Sequence, residues 1–148
     1  DITGESAQLF RRQGDLRICS AAVERPSGLR DTVPLGAQLS MTAGSAAQVL
    51  LAWEEPENLP RLLKEATFTV LSLQRVRRRG WAQSVAEREP GVASVSAPVL
   101  SPSGKIIAAV SVSGPIERLP RQPGRLHAPA VMAAAERLSE VLRRNGTE

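Results

Sequence analysis

Tyrosine is absent from this sequence, histidine and cysteine occur once each (His127, Cys19), and Phe and Trp together number four. One thiol cannot close an intramolecular disulfide, and one Cys with one His cannot form a zinc site of the usual kind. Nucleophilic catalysis needs an activated nucleophile, a base and an orienting group. No G-x-S-x-G elbow occurs, and His127, just before Pro129 at the expected start of the last helix, reads as a surface or capping residue. Glu87 and Glu89 flank an arginine and precede Pro90-Gly91, the pattern of a loop rather than of paired catalytic carboxylates. Neither phosphate-cradling glycine pattern is present. We therefore expect no enzyme, no cofactor and no metal.

Long apolar runs are also lacking. None approaches the roughly 20 residues that span a bilayer, and nothing resembles a signal peptide. The sequence opens on Asp1 without a Met and reads as strand by Ala7. That suits a domain of a longer cytoplasmic protein, with no membrane contact.

What is present fits one soluble domain: 148 residues, 42% hydrophobic and 23% charged. The net charge of +4 raises nucleic-acid binding as a possibility. Its source is local. Residues 61–90 carry seven Lys/Arg (Arg61, Lys64, Arg75, Arg77, Arg78, Arg79, Arg88) against three acids, and the rest of the chain balances at twelve against twelve. Only Phe68 and Trp81 accompany that cluster, whereas single-strand binders interleave several aromatics. Arg77-Arg78-Arg79 before Gly80 is also the ordinary end of a helix, cations in the last turn and Gly just beyond. A charged partner surface is the other reading of these arginines.

The chain reads as strands 6–12 and 16–24 joined at Gln13-Gly14-Asp15, and a third strand around 29–33 ending at Pro34. A helix follows over Ala43–Trp53 with Thr42 as N-cap, then short helices near 57–64 and 71–79. Strands Val92–Leu100 and Lys105–Ser113 flank a Ser101-Pro102-Ser103-Gly104 turn. A final amphipathic helix carries Leu126, Ala130, Val131, Ala134, Leu138, Val141 and Leu142 on one stripe and closes at Asn145-Gly146. This order predicts an α+β domain with a largely antiparallel sheet.

Small polar residues gather where a pocket would need them. Side chains alternate along a strand, so Ser94 and Ser96 share one face, as do Ser111 and Ser113. Buried hydroxyls need partners, which a polar ligand can supply, although a solvated face would explain the same spacing. The helix opening at Ala43-Gly44-Ser45-Ala46 exposes backbone N–H groups without bulky side chains, so a carboxylate could be held there without Lys or Arg.

Five stretches together resemble a known family: Val33-Pro34-Leu35-Gly36; Leu39-Ser40-Met41-Thr42-Ala43-Gly44-Ser45-Ala46; Arg79-Gly80-Trp81-Ala82; Glu87 through Val99; and Ala108 through Pro115. In this order, and over nearly the whole chain, the sequence resembles the C-terminal effector-binding domain of the IclR family of bacterial transcriptional regulators. The details look closest to an actinobacterial branch associated with leucine and other amino-acid biosynthesis. The resemblance implies a GAF-like domain with about six strands, a small-molecule effector that is a carboxylate or an amino acid, and assembly into dimers or dimers of dimers. It also implies a winged helix-turn-helix ahead of Asp1 that alone makes the DNA contact.

Carried onto this sequence, the family's effector site falls on the backbone of Ser45 and Ala46, on Ser84, Ser94, Ser111 and Ser113, and on a wall of Gly28, Asp31, Leu39 and Val92. Two positions depart from the family. Ser84 stands where an acid is common, and Asp31 where a bulky apolar residue is common. If Asp31 faces the pocket, it offers a partner for an ammonium group, and the site becomes one for an amino acid. Pairing of Asp31 with Arg30 or another surface cation is the competing reading.

Overall fold

The computed structural model describes residues 4–26, 28, 31–87, 89–119 and 122–144. Six strands form one antiparallel sheet, β1 (Ser6–Gln13), β2 (Leu16–Val23), β3 (Gln38–Ser40), β4 (Ala82–Val85), β5 (Val92–Leu100) and β6 (Ile106–Pro115), in the order β3-β2-β1-β6-β5-β4. The α+β class and the six-stranded sheet match the expectation. Two tight hairpins build most of it: Gly14, at φ 61, turns β1 into β2, and Gly104, at φ 86, turns β5 into β6. Glycine is suited to these left-handed positions because it has no Cβ to clash. Pro98 lies past the stretch of β5 that β4 pairs, where the strand has one neighbour and proline is tolerated.

The third strand differs from its prediction. Residues 31–33 form no strand, while Ser27, Leu29 and Arg30 lie outside the described residues. Pairing with β2 comes later: Gly36 N donates to Cys19 O and Cys19 N donates to Ala37 O, which leads into β3. Pro34, having no N–H, interrupts the earlier segment. The edge strand β4 was not expected, since Ala-Gln-Ser-Val is short and weakly apolar.

Helices cover both faces. On one lie α1 (Ser45–Leu51), a 3-10 turn (Pro56–Asn58), α2 (Leu59–Leu62) and α3 (Val70–Arg79), over a core that includes Leu50, Leu51, Leu73, Val76, Phe10 and Phe68. On the other lies α4 (Pro123–Arg144), packed on Val95, Ala97, Val99, Ala108 and Val112. Thr69 and Ser72 form a reciprocal cap at the start of α3, and Gly80, left-handed at φ 83, ends it.

Two local expectations are corrected. Thr42 does not cap α1; Gly44 does, at φ 98, while the Thr42 hydroxyl bonds Ser40. The stripe assigned to the last helix is rotated, since α4 buries Ala128, Val131, Ala135 and Ser139, whereas Leu126 is 58% exposed and Leu138 and Val141 also face outward. Small side chains let α4 approach the sheet closely, and the larger ones are left outside. Gly124 is an extreme case: a Cβ there would lie 2.1 Å from the Trp81 ring. α4 starts at Pro123, so His127 and Pro129 lie in its opening turns, as the sequence places them. The expected stop at Asn145-Gly146 lies outside the described residues.

Candidate functional site

Alternation along the strands selects the residues of the site. Gln8 and Phe10 on β1, Arg17 on β2, and Ser111 and Ser113 on β6 point to the α1 side, as do Ser94 and Ser96 on β5. Register then brings them together: Ser94 faces Ser113, Ser96 faces Ser111, and Gln8 faces Ser111 across adjacent strands. With Asp31, Val33 and the Gly44-Ser45-Ala46 segment, these side chains, Ser96 excepted, surround a cavity of about 20 Å³, room for about one water.

The serines bond to one another. Ser45 Oγ lies 2.6 Å from Ser94 Oγ and 2.6 Å from Ser96 Oγ, Ser94 Oγ is 2.8 Å from Ser84 Oγ, and Ser96 Oγ is 2.5 Å from Ser111 Oγ. The result is one chain of hydroxyls running Ser84, Ser94, Ser45, Ser96, Ser111. Ser113 stands apart from it, its Oγ 2.7 Å from Asp31 Oδ2 and 3.2 Å from Gln8 Oε1, with one proton to give to these two acceptors. Buried polar groups are costly without such partners, which explains why hydroxyls on this sheet face occur as a connected set.

Two buried charges of opposite sign line the same cavity. Arg17 is 3% exposed and Asp31 7%. Arg17 Nη1 donates to Ala43 O at 2.9 Å, and its guanidinium carbon lies 5.0 Å from the Phe10 ring centre. A Cβ on Gly44 would come within 3.2 Å of both terminal guanidinium nitrogens, so the glycine admits the arginine to the start of α1. A cation therefore stands beside the helix start that the sequence offered for an anion. Strand parity could have found Arg17, which shares its face of β2 with buried Cys19. Glu87 from the β4–β5 loop is also at this end, accepting from Gly44 N at 3.2 Å and from Thr67 Oγ1 at 2.8 Å.

Of the ten residues singled out from the sequence, Asp31, Ser45, Ala46, Ser94, Ser111 and Ser113 line the cavity. Ser84 is buried and joined to it through Ser94. Val92 lies on a neighbouring open groove of about 460 Å³, with Asp31, Glu89, Pro90, Gly91 and Glu117. Leu39 packs on the α1-side core, and Gly28 is exposed, at φ 78. Ser96, which strand alternation groups with Ser94, bonds Ser45 and Ser111 beside the cavity, and Arg17, Gln8 and Glu87 are the members that sequence reasoning did not assign to it.

Elsewhere, chemistry is muted. Burial pushes the Cys19 thiol up from its ordinary pKa, away from the reactive thiolate form. Burial also moves the His127 imidazole down, opposed by Glu5. Among the described residues there is no cluster of metal-ligating side chains, and no helix is long and apolar enough to cross a membrane. Two of the arginines at the end of α3 are used within the fold: Arg77 donates to Ala52 O, and Arg79 donates to Trp81 O while stacking 3.6 Å from that ring's centre.

Proteins similar to this chain in sequence and fold include transcriptional regulators. The chain is 31% identical to the HTH-type transcriptional regulator BhcR of Paracoccus denitrificans, over 94% of its own length and 54% of that protein's. It is 26% identical to the HTH-type transcriptional repressor AllR of Salmonella typhi, over 80% of its length and 48% of the repressor's. It thus spans about half the length of these curated relatives. A crystal structure of an IclR-family regulator from Rhodococcus sp. superposes with a TM-score of 0.84 at 28% identity, covering 94% of this chain and 57% of that one. These relatives are transcriptional regulators and not enzymes. Residues 1–140 match the family described as bacterial transcriptional regulator IclR C-terminal, and with the fold and these relatives in agreement, the chain belongs to that family as a regulatory C-terminal domain.

Proposed function

We propose that the chain senses a small carboxylate, most specifically an amino acid, and passes the binding event to DNA-binding domains within an oligomeric cytoplasmic regulator. The observation that carries this reading is the pair of buried charges. Arg17 at the start of α1 offers a cation, with the Ser45 and Ala46 amides beside it, and Asp31 offers an anion on the same cavity. A zwitterion matches both, its carboxylate toward Arg17 and its ammonium toward Asp31. Charge pairing away from water is selective because an unmatched buried charge is penalised. Asp31 also borders the 460 Å³ groove, whose rim carries Glu89 and Glu117. That groove is of ligand size, whereas the cavity of about 20 Å³ holds about one water, so the reading requires the cavity to widen as a charged head enters beside Arg17 and Asp31. Leucine and its relatives, suggested by the branch the motifs resemble, would place the head there and the side chain in the groove.

A sensor works by differential affinity. The ligand favours whichever arrangement of the assembled regulator binds it better, and can shift the equilibrium by no more than that difference. No bond need be made or broken.

The second reading is a ligand-free assembly module, favoured by the cavity's small size, about 20 Å³. A thermal-shift panel of amino acids and small organic acids separates the two, because a ligand bound to the native state adds RT ln(1 + [L]/Kd) to stability. A sensor gains stability with one chemical class. A chain that dimerises but shifts with none is an assembly module. Calorimetric titration with branched-chain amino acids and their 2-keto acids then tests the ammonium: preference for the amino acids supports the role of Asp31, and equal or weaker binding removes it.

A further inference from the structure

A sheet face that carries apolar side chains buries them against another layer. On the α4 side, half of that layer is missing among the described residues. Helix α4 lies over β5, β6 and β4, and the remaining helices sit on the opposite face. Strand alternation turns Ala7, Leu9 and Arg11 of β1 outward on the α4 side, and pairing with β2 adds Val23, Ala21 and Ile18 beside them. Ala7 and Leu9 touch the α4 layer at its margin, whereas Ala21 and Val23 are exposed, Val23 by 58%. The hairpin thus forms a shelf, apolar but for Arg11, alongside the ridge made by α4.

The ridge is apolar toward the shelf as well. Met132 and Glu136, which share a groove with Gly80 and Pro98, mark the flank of α4 that looks toward β4. With about 3.6 residues per turn, Ala130, Ala134, Leu138 and Val141 fall on the opposite flank, toward the shelf. None of the four belongs to the layer that α4 buries, and Leu138 and Val141 are exposed. Most of the stripe read from the sequence is this second one. Helix α4 therefore has two apolar stripes, and the one with the larger side chains meets no described element.

We propose that shelf and ridge together are the surface through which two copies of this chain pair, the α4 of each lying on the shelf of the other. A ridge beside a shelf of its own width is self-complementary about a twofold axis, which is what an isologous dimer requires. A helix with its side chains is about 10–12 Å across, and strands about 4.8 Å apart give β1, β2 and β3 that width. Eight-residue strands make the shelf about 27 Å long. Two ridge-on-shelf contacts of this size bury on the order of 1,100 Å² in total, enough for a specific dimer. The charges agree with this arrangement. Gly124 packs at Trp81 and the Ser139 hydroxyl accepts from Leu100 N, so α4 runs in the direction of β5, and through β6 in that of β1. The twofold axis sets the partner's α4 against that direction. Arg137, the cation on the outer line of the helix, then falls toward the Val23 end of the partner's shelf, where Glu24 follows, and away from Arg11.

The pairing rests on the oligomeric-regulator reading for its purpose, but its test needs no ligand. Analytical ultracentrifugation of the 148-residue chain, with circular dichroism as the check of folding, reads the association directly. The wild type sediments as a dimer at micromolar concentration. Leu138→Asp on the ridge and Val23→Asp on the shelf, both at exposed positions, each raise the dimer dissociation constant about tenfold or more. Leu71→Asp, exposed on α3 across the sheet, leaves it unchanged. Crosslinking decides the matter should an aspartate variant fail to fold: a short bismaleimide joins two copies of Ala134→Cys, on the shelf-side flank, and does not join Met132→Cys on the opposite flank. A monomeric wild type overturns the proposal and leaves the shelf to a different chain. So does a dimer indifferent to both aspartates, or one crosslinked through residue 132 in place of 134. A thermal shift with an amino acid, read on the same variants, reports on the effector cavity alone, so failure of the pairing and failure of the sensing are told apart.

Discussion

The two faces of the sheet are built from the same strands and treated oppositely. Along β5, Val95, Ala97 and Val99 meet α4 in a dry apolar layer, while Ser94 and Ser96, between and beside them, look toward α1. β6 repeats the division, with Ala108 and Val112 against α4 and Ser111 and Ser113 on the cavity. Below α4, small side chains bring helix and sheet into close contact. Below α1, the interior is given to hydroxyls, an arginine and an aspartate, held by hydrogen bonds and by their enclosure. A buried polar network is a poor way to gain stability compared with apolar packing, and its concentration on the α1 face is what the proposed effector site explains. The α4 face supplies the rigidity that lets the other be polar.

Substitutions at neighbouring positions of β5 should break this comparison most sharply. Val95→Asn puts an amide into the dry layer with no partner and should cost about 3 kcal/mol or more. Ser96→Ala, one residue on and facing the other way, interrupts the hydroxyl chain and should cost about 1 kcal/mol. Urea denaturation of both variants measures the ratio; equal losses would mean that the two faces do not differ as described.

Gly44→Ala should fall between them, at about 1 to 3 kcal/mol, because φ 98 is strained for any L residue and the added Cβ presses on Arg17 at 3.2 Å. The same variant should weaken any ligand that engages Arg17. Loss of stability with unchanged ligand binding would separate the arginine from the site.

Acid should distinguish the faces more gently. Arg12 bonds Glu54 at 2.5 Å, tying β1 to the segment after α1, and with help from Asn58 it holds the Glu54 carboxyl at about 2, well below its ordinary 4.5. A carboxyl whose pKa is depressed by folding stabilises fully above its unfolded value and loses that contribution as pH falls toward the folded one. Hydrogen exchange in α1 should therefore quicken between pH 4.5 and about 2, while the α4 layer, whose packed residues include no carboxylate, stays protected longer. Arg12→Ala should remove this part of the pH dependence.

The class of the fold and most of its elements were legible in the sequence because hairpins carry local signals: Gly14 and Gly104 at tight turns, alternation between, and the Arg77-Arg78-Arg79-Gly80 helix end. All six serines of the site could be named. What escaped depends on long-range geometry. The strand at 38–40 exists because Pro34 defers pairing with β2. The rotation of α4 follows from how closely alanines let it approach, a property of two surfaces together. Arg17 lies far along the chain from Gly44, and only the folded sheet reveals that the absent Cβ makes room for a guanidinium. Charge composition pointed to the arginines of residues 61–90, while the arginine that lines the cavity stood outside them.

The most direct test is a crystal structure of the chain grown with the amino acid that gives the largest thermal shift. The account predicts density among Ser45, Ser111 and Asp31, with the carboxylate on the Arg17 side, the ammonium at Asp31 and the side chain reaching the groove beside Val92. A ligand bound on the α4 face, or a zwitterion seated with its charges reversed, would contradict it.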